Sequence, residues 1–600
     1  MRQVVTKHFA QALRDKAAQY GQRAALKFKE YGEGEWISMS WDEMLDKVNR
    51  VSKALLDFGI ETQQKVGIFS QNMPEWSLVD FATLSIRGVV VPIYATSTAP
   101  QADYIINDAE INILFVGDQE QYDIAHSLLS TNEHLKKVIV FDDRTDLKSC
   151  PDAEYFKDFI KKGDSPEHDT VLQSKLSAIQ EDDMVTLIYT SGTTGEPKGV
   201  MLDNANFNAC IEMHEDRLNV NDTDTSIAFL PLSHIFERAW TYYMFYKGVI
   251  NHYNLFPTNI KETLEEIRPT LICSVPRLYE KIYGTVYAKL ETASPVKKAL
   301  FNWAVNTGKK VVATKQKGQT PSGFLNMQYN LADKLVLSKI RIATGLENAK
   351  FLPCAGSKLS EEINYFLHAI GFNLKYGYGL SETCATVSCF DDHNYRLGTV
   401  GMPLKGIEIK LGENNEILVK SPTIMRGYYN KPEATAEVFE GEWFRTGDAG
   451  EIDEKGNLIF IERLKDLMKT AGGKYIAPQV VETTIGSDQY VEQIAIIGDE
   501  RKFVSALIVP AFETLESYAK EAGIAFKDRV ELIRNAEVIK LFENRINDLQ
   551  KNLARFEQVK KFTLLPKEFT IENGEITPTL KIRRKTILQN FSSEIEAMYI

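Results

Sequence analysis

Between Val66 and Asp142 the apolar positions fall into short blocks set apart by stretches of helical period. VGIFS reads as a strand, Glu75 to Arg87 as a helix, VVVPI as a strand, Ala99 to Asp108 as a helix, and NILFVG and KKVIVFD as two further strands. Strands alternating with helices at this spacing predict βαβ units and a mostly parallel sheet. Upstream lie a short helical start, the Trp36–Trp41 region, and an amphipathic helix from Trp41 to Phe58 that Gly59 ends. Residues 142–180 are polar and irregular, the pattern of a surface excursion before the central strand. That strand opens with Val185, Leu187 and Ile188, a β-branched apolar run that predicts burial. SIAFLPLSHIFERAW follows as strand and turn, and towards the end EQIAIIGD and SALIVP give strands before helices from Val530 to Phe556.

A chain of 600 residues exceeds what one core supports, so at least two domains are expected. Net charge of −12 argues against general nucleic-acid binding. Six cysteines without a CxxC pair read as reduced thiols of an intracellular protein, Cys384 and Cys389 among them as packing residues. MRQVVTKHFAQAL lacks the apolar core of a signal peptide, and no apolar run reaches bilayer length, so the expectation is cytoplasmic. Residues 292–332 run against the acidic balance, with six lysines and no acid on a helical apolar pattern. Such a stretch is either a solvated insertion packed on the main domain or a peripheral contact with anionic lipid.

The candidate chemistry begins with VTLIYTSGTTGEPKGVM, Val185 to Met201. Behind the buried strand come four hydroxyls (Thr190, Ser191, Thr193, Thr194), three glycines (Gly192, Gly195, Gly199) and Lys198. Glycines let backbone N–H groups close on an anion, hydroxyls add donors and lysine a point charge, an inventory that suits polyphosphate. It is not a Walker A loop, because Lys198 follows Pro197 and no Gly-Lys-Ser/Thr opens a helix. In YGYGLSET (Tyr376, Gly377, Tyr378, Gly379, then Ser381 and Glu382) a carboxylate beside polyphosphate requires a cation between them. Asp448 in a Thr-Gly-Asp turn is an Asx turn or an acceptor for hydroxyls. His234 alone reads as a packing or capping residue.

SGTTGEPKG, with the later motifs in order, resembles the AMP-forming acyl-adenylating superfamily of acyl-CoA synthetases, luciferases and peptide-synthetase adenylation domains. The resemblance implies an α/β fold: a large N-terminal domain of βαβ-built sheets, residues 1–464, and a small mobile α+β domain, residues 465–600. It implies ATP, Mg²⁺ and CoA. Thr190 to Gly195 and Lys198 would meet the phosphates, and Glu382 with Thr190 the metal. Ala355, Gly356 and Ser357 would meet adenine, although Lys358 stands where a small residue or proline is expected. Tyr376 to Gly379 would continue that wall, with Tyr378 on adenine and Ser381 on phosphate. Asp448 and Arg463 would take the ribose, and Lys465 would be the hinge. Gly472 and Gly473 would line a narrow pantetheine channel. Lys581 would sit beside the acyl carboxylate and α-phosphate, its position ambiguous among Arg583, Arg584 and Lys585. His234 and Trp240 would line the acyl site. The insertion and TAGGKYIAP resemble long-chain fatty acyl-CoA synthetases. The alternatives are a medium-chain or aryl synthetase, a fatty acyl-AMP ligase serving a carrier protein, and a lipid-binding scaffold.

Overall fold

The computed structural model describes residues 8–190, 196–392, 395–577 and 581–600. The predicted βαβ run forms a seven-stranded sheet. Its order is Ala153–Tyr155, Lys137–Val140, Ile113–Val116, Lys65–Ser70, Val89–Tyr94, Met184–Thr190 and Lys198–Asp203. All neighbours are parallel except the last pair, which is antiparallel. The helices Pro74–Ser85 and Ala99–Ala109 lie within two or so residues of their predicted bounds, and Gln119–Leu129 is a further helix. Trp41–Phe58 forms as expected. Ser40 and Glu43 close a capping box at its start, and Gly59 ends it at φ 96°, where a side chain would be strained.

Two differences from the sequence pattern have physical reasons. The segment 142–180 is not an irregular excursion. It supplies the edge strand Ala153–Tyr155, and Phe156 and Phe159 pack edge-on against Phe115 in the core. The strand Met184–Thr190 is not central either, since only Lys198–Asp203 lies beyond it. Thr190 and Lys198, on either side of the glycine-rich segment, are therefore paired at the sheet's edge.

A second sheet, ordered Thr225–Ala228, Ile250–Tyr253, Ala24–Lys29 and Trp36–Ser40, is bridged through Leu271 and Ser274 to a third. The third runs Leu352–Cys354, Leu374–Tyr378, Ser388–Cys389 and Met402–Pro403. Cys384 and Cys389 are both buried, as packing residues. A fourth sheet holds Trp443–Ile452 against Leu458–Arg463. From Met468 a separate hydrophobic cluster gathers around the sheet Val491–Ile497, Val504–Pro510 and Val559–Leu564. The architecture is mixed α/β, a large body followed by a smaller one. Among the described residues no helix is long and apolar enough to cross a membrane.

Candidate active site

Lys198 faces Thr190 across the hairpin, with the Thr190 hydroxyl 3.5 Å from the Lys198 carbonyl, too long to commit that donor strongly. Ser191, Gly192, Thr193, Thr194 and Gly195 lie outside the described residues. The hairpin is anchored from outside: the Tyr104 hydroxyl donates to the Pro197 carbonyl and the Tyr189 hydroxyl to Asp108. The Lys198 ammonium lies 4.8 Å from the centre of the Tyr428 ring, and the Tyr428 hydroxyl donates to Glu382 Oε1 at 2.9 Å. Tyr428 thus ties the phosphate-loop lysine to the carboxylate of the second motif. Sequence reasoning missed it, although MRGYY in its place after LSET was the available signal.

Glu382 sits in the single turn Ser381–Thr383, pinned by the Met425 N–H on its own carbonyl and by Thr383, whose hydroxyl accepts from the Leu380 N–H. Among the described residues no cluster of three His, Cys, Asp or Glu could hold a metal alone. One carboxylate with an oxygen to spare does fit Mg²⁺, which keeps waters and takes most remaining oxygens from substrate phosphates.

The strand Leu374–Tyr378 runs parallel to Leu352–Cys354 and sets the wall beside them. Ala355, Gly356 and Ser357 follow the shorter strand as a partly open turn, with Gly356 at φ 96°. The Tyr376 hydroxyl links that turn internally, donating to the Ser357 carbonyl and accepting from the Leu359 N–H. Gly377 and Gly379 are fixed by packing: a Cβ would fall 2.6 Å from the Ser388 carbonyl oxygen and 1.5 Å from that of Ala385. Tyr378 is buried, one face stacked on Phe460. Burial holds Lys358 below the ordinary lysine range against the pull of Glu462, Glu557 and Glu361, so this unexpected residue faces acids of both bodies.

Asp448 joins the second half of the site. It accepts from the Tyr378 hydroxyl at 2.6 Å and from Arg463 Nε at 3.1 Å across paired strands. The chain then turns at exposed Lys465. Beyond the turn, Arg584 is taken by Glu482 at 2.8 Å and by the Ile496 carbonyl, which removes it as a rival to Lys581.

Lys581 lies on an arm held by Thr577, solvent-accessible yet surrounded by protein. Burial and then Arg463 push its amine below the usual lysine range, while Asp448, Glu382 and Asp466 oppose the loss of its proton. His234 caps the helix Ile235–Lys247, its Nδ1 accepting from the Phe236 N–H, as its reading as a capping residue expects. Burial, and then the Lys581 charge, lower its pKa to about 4. A neutral ring whose Nδ1 accepts carries its proton on Nε2. Behind it, buried Glu237 is raised to about 8 by desolvation and accepts from the Leu230 N–H and from Cys273, fixing the turn before His234.

Three expected residues stand apart in this arrangement. Trp240 is a core residue whose indole N–H donates to Ser226 at 3.0 Å. Gly472 and Gly473 form the exposed turn between Met468–Lys469 and Tyr475–Ile476. In this arrangement a Cβ at 473 meets nothing within 4 Å, and that glycine answers a φ of 77°; the channel expected of them belongs to the turned small domain.

Comparison with known proteins gives a consistent picture. Residues 13–429 match the family described as AMP-binding enzyme, and 465–600 the AMP-binding enzyme C-terminal domain. The long-chain-fatty-acid–CoA ligase FadD15 of Mycobacterium tuberculosis is 31% identical over 94% of this chain and 93% of its own. Long chain acyl-CoA synthetase 7, peroxisomal, of Arabidopsis thaliana is 32% identical over 94% of this chain and 82% of its own. Among solved structures, the adenylation domain of a carboxylate reductase from Mycobacterium chelonae superposes with a TM-score of 0.75 at 21% identity. It covers 99% of this chain and 91% of that one.

Proposed function

The chain belongs to the AMP-binding enzyme family, and from that premise we propose an AMP-forming ligase that joins long-chain fatty acids to CoA. The observation that carries the proposal is the electrostatic convergence on Lys581 of the paired Arg463 and Asp448, of Glu382 and of His234.

A carboxylate is a weak nucleophile whose charge meets that of ATP, so positioning and neutralisation count for more than proton transfer. In the first half-reaction a fatty carboxylate oxygen attacks the α-phosphorus, the bond to the β-phosphate oxygen breaks, and pyrophosphate leaves. Lys581 offsets charge at the attacked phosphate and Lys198 at the leaving group. His234, neutral, offers Nε2–H without adding charge beside Lys581. Asp448 still has lone pairs for the ribose hydroxyls after serving Tyr378 and Arg463. Glu382 and Thr190 would hold Mg²⁺, which when bound neutralises phosphate oxygens. In the second half-reaction the CoA sulfur attacks the acyl carbonyl and AMP departs. The small domain, residues 465–600, would turn at Lys465 between the two, withdrawing Lys581 and bringing up the 472–473 turn. Peripheral contact with a membrane through 292–332 belongs to the same proposal.

The test is release of pyrophosphate and AMP from ATP with fatty acids of graded length, with and without CoA. AMP turnover that needs CoA and rises with chain length is expected. Pyrophosphate without discharge to CoA would point instead to another acyl acceptor.

A further inference from the structure

Exposed large hydrophobic side chains concentrate in one place. On the helical stretch from Gly323 to Ala343, Phe324 is 66%, Met327 61%, Leu331 50% and Ile342 52% exposed, with Leu335 between them. Steps of three and four residues from 324 to 335 put these side chains along one face. The π-turn Asp333–Leu337 keeps the helix continuous through that face. The opposite face already packs on the large core, through Ala332 and Leu337, both fully buried, and partly through Tyr329 and Ile340. The helix is therefore apolar on both sides, and only one side is covered. Val296 and Leu300, at the start of the partner helix Pro295–Gln316, are exposed as well.

Charge identifies the cover. Lys334 and Lys339 lie on the same stretch, and Lys297, Lys298, Lys315 and Lys317 on or just past the helix it packs against, in a protein of net charge −12. The one acid between 292 and 343 is Asp333, bound to Arg341 at 2.7 Å. Lys309 lies against the Tyr365 ring, and the Tyr365 hydroxyl donates to its carbonyl, so the basic segment is an anchored part of the large body.

We propose that the apolar stripe of 323–343, together with these lysines, docks on an anionic lipid bilayer. Phe324, Met327 and Leu331 enter the headgroup boundary while the lysine stems lie along it. This moves the contact face expected within 292–332 onto the second helix and past its end. A second copy of the chain is disfavoured, because a two-fold pairing of this face would set lysine against lysine. The docking rests on the proposed function only for its use, the capture of fatty acid dissolved in the bilayer.

The experiment is sedimentation of the full chain with phosphatidylcholine vesicles, with or without about a third phosphatidylglycerol, in the absence of ATP and fatty acid. Binding to the anionic vesicles should exceed that to neutral ones about ten-fold and weaken as salt rises. The triple variant Phe324→Ser, Met327→Ser, Leu331→Ser should lose about ten-fold of it, and so should Lys334→Glu with Lys339→Glu. Both should keep the thermal midpoint and pyrophosphate release from a short, soluble acid. Equal binding by both variants, or no anionic preference in the unaltered chain, would overturn the proposal. So would a dimer that the triple variant splits into monomers. A chain that binds vesicles yet never releases pyrophosphate would refute the proposed function and leave the docking face standing.

Discussion

Asp80 and Asp448 are each held by an arginine and a tyrosine, the first by Arg238 and Tyr242, the second by Arg463 and Tyr378. The chemistry is the same and the setting is opposite. Arg238 is fully buried, and its donors go to Asp80, to the Tyr242 hydroxyl at 3.0 Å and to Thr186 on the strand before the phosphate loop. Asp448 is buried like Asp80, but Arg463 keeps 38% of its side chain exposed and gives Asp448 only Nε. A triad with every donor spent fixes structure. One whose arginine keeps donors to spare can still bond a ligand, the role proposed for Asp448 and Arg463.

The largest expected effect tests the sealed triad. Arg238→Ala leaves the Asp80 charge buried without its partner, and should cost about 3–5 kcal/mol of stability. Unfolding of the large body in denaturant is the measurement. Replacing both partners, Arg238→Met with Asp80→Leu, should recover most of that loss, because the penalty lies in the orphaned charge. A single variant that unfolds like the unaltered protein would break the comparison.

Asp448→Asn should behave in the opposite way. The amide loses half its acceptor capacity and all its charge, so pyrophosphate release should fall about a hundred- to a thousand-fold. Stability should change by no more than about 1 kcal/mol. Steady-state rates beside a denaturant curve decide it; loss of stability without loss of rate would mark this triad as structural too.

The next effect belongs to the lysine that both charges of the open triad touch. Lys581→Ala should slow pyrophosphate release about a hundred-fold and spare thioester formation from supplied acyl-AMP. The protonated amine is the working form, so activity is lost as pH rises through its pKa. Because burial and Arg463 hold that pKa down, the alkaline limb should lie below the ordinary lysine range. Arg463→Gln should move the limb upward, and Lys581→Ala should abolish it. A limb that ignores both substitutions would assign it to another group.

The two triads also differ in how readable they are. Asp448 and Arg463 stand 15 residues apart in adjoining strands, within motifs that keep their order, and both were legible. Arg238 and Asp80 are 158 residues apart and meet only in the folded core, where no local pattern announces the pairing. Tyr428 escaped for the same reason, since its role depends on a hydroxyl reaching Glu382, 46 residues away. The strand Met184–Thr190 was recognisable from its residues, but not its place next to the sheet's edge, which strand order decides. The segment 142–180 misled because its polar surface hid Phe156 and Phe159, two apolar residues that suffice to dock it on Phe115. Lys581 was proposed from the resemblance and the TPTLK spacing, and of the rivals beside it Arg584 is engaged by Glu482.

The smallest effect is the sharpest comparison, because it removes the same atom from both triads. Tyr242→Phe and Tyr378→Phe each delete one hydroxyl that donates to an aspartate, at 2.7 Å and 2.6 Å. Such a bond contributes about 1–2 kcal/mol when its partner is charged, and the ring volume is kept. In the sealed triad the loss strands part of Asp80 and of Arg238, so it should appear as about 1–2 kcal/mol of stability with rates unchanged. In the open triad Asp448 keeps its bond to the partly exposed Arg463, which water can reach, so stability should move less. The cost should appear instead when ATP binds, as a KM raised roughly three- to ten-fold at unchanged kcat, because the carboxylate then reaches the ribose less well fixed. Measuring both variants by denaturant unfolding and by ATP titration gives four numbers. The two triads are distinguished only if the effects fall on opposite assays; if both variants lose stability alike, a spare donor is no sign of a binding role.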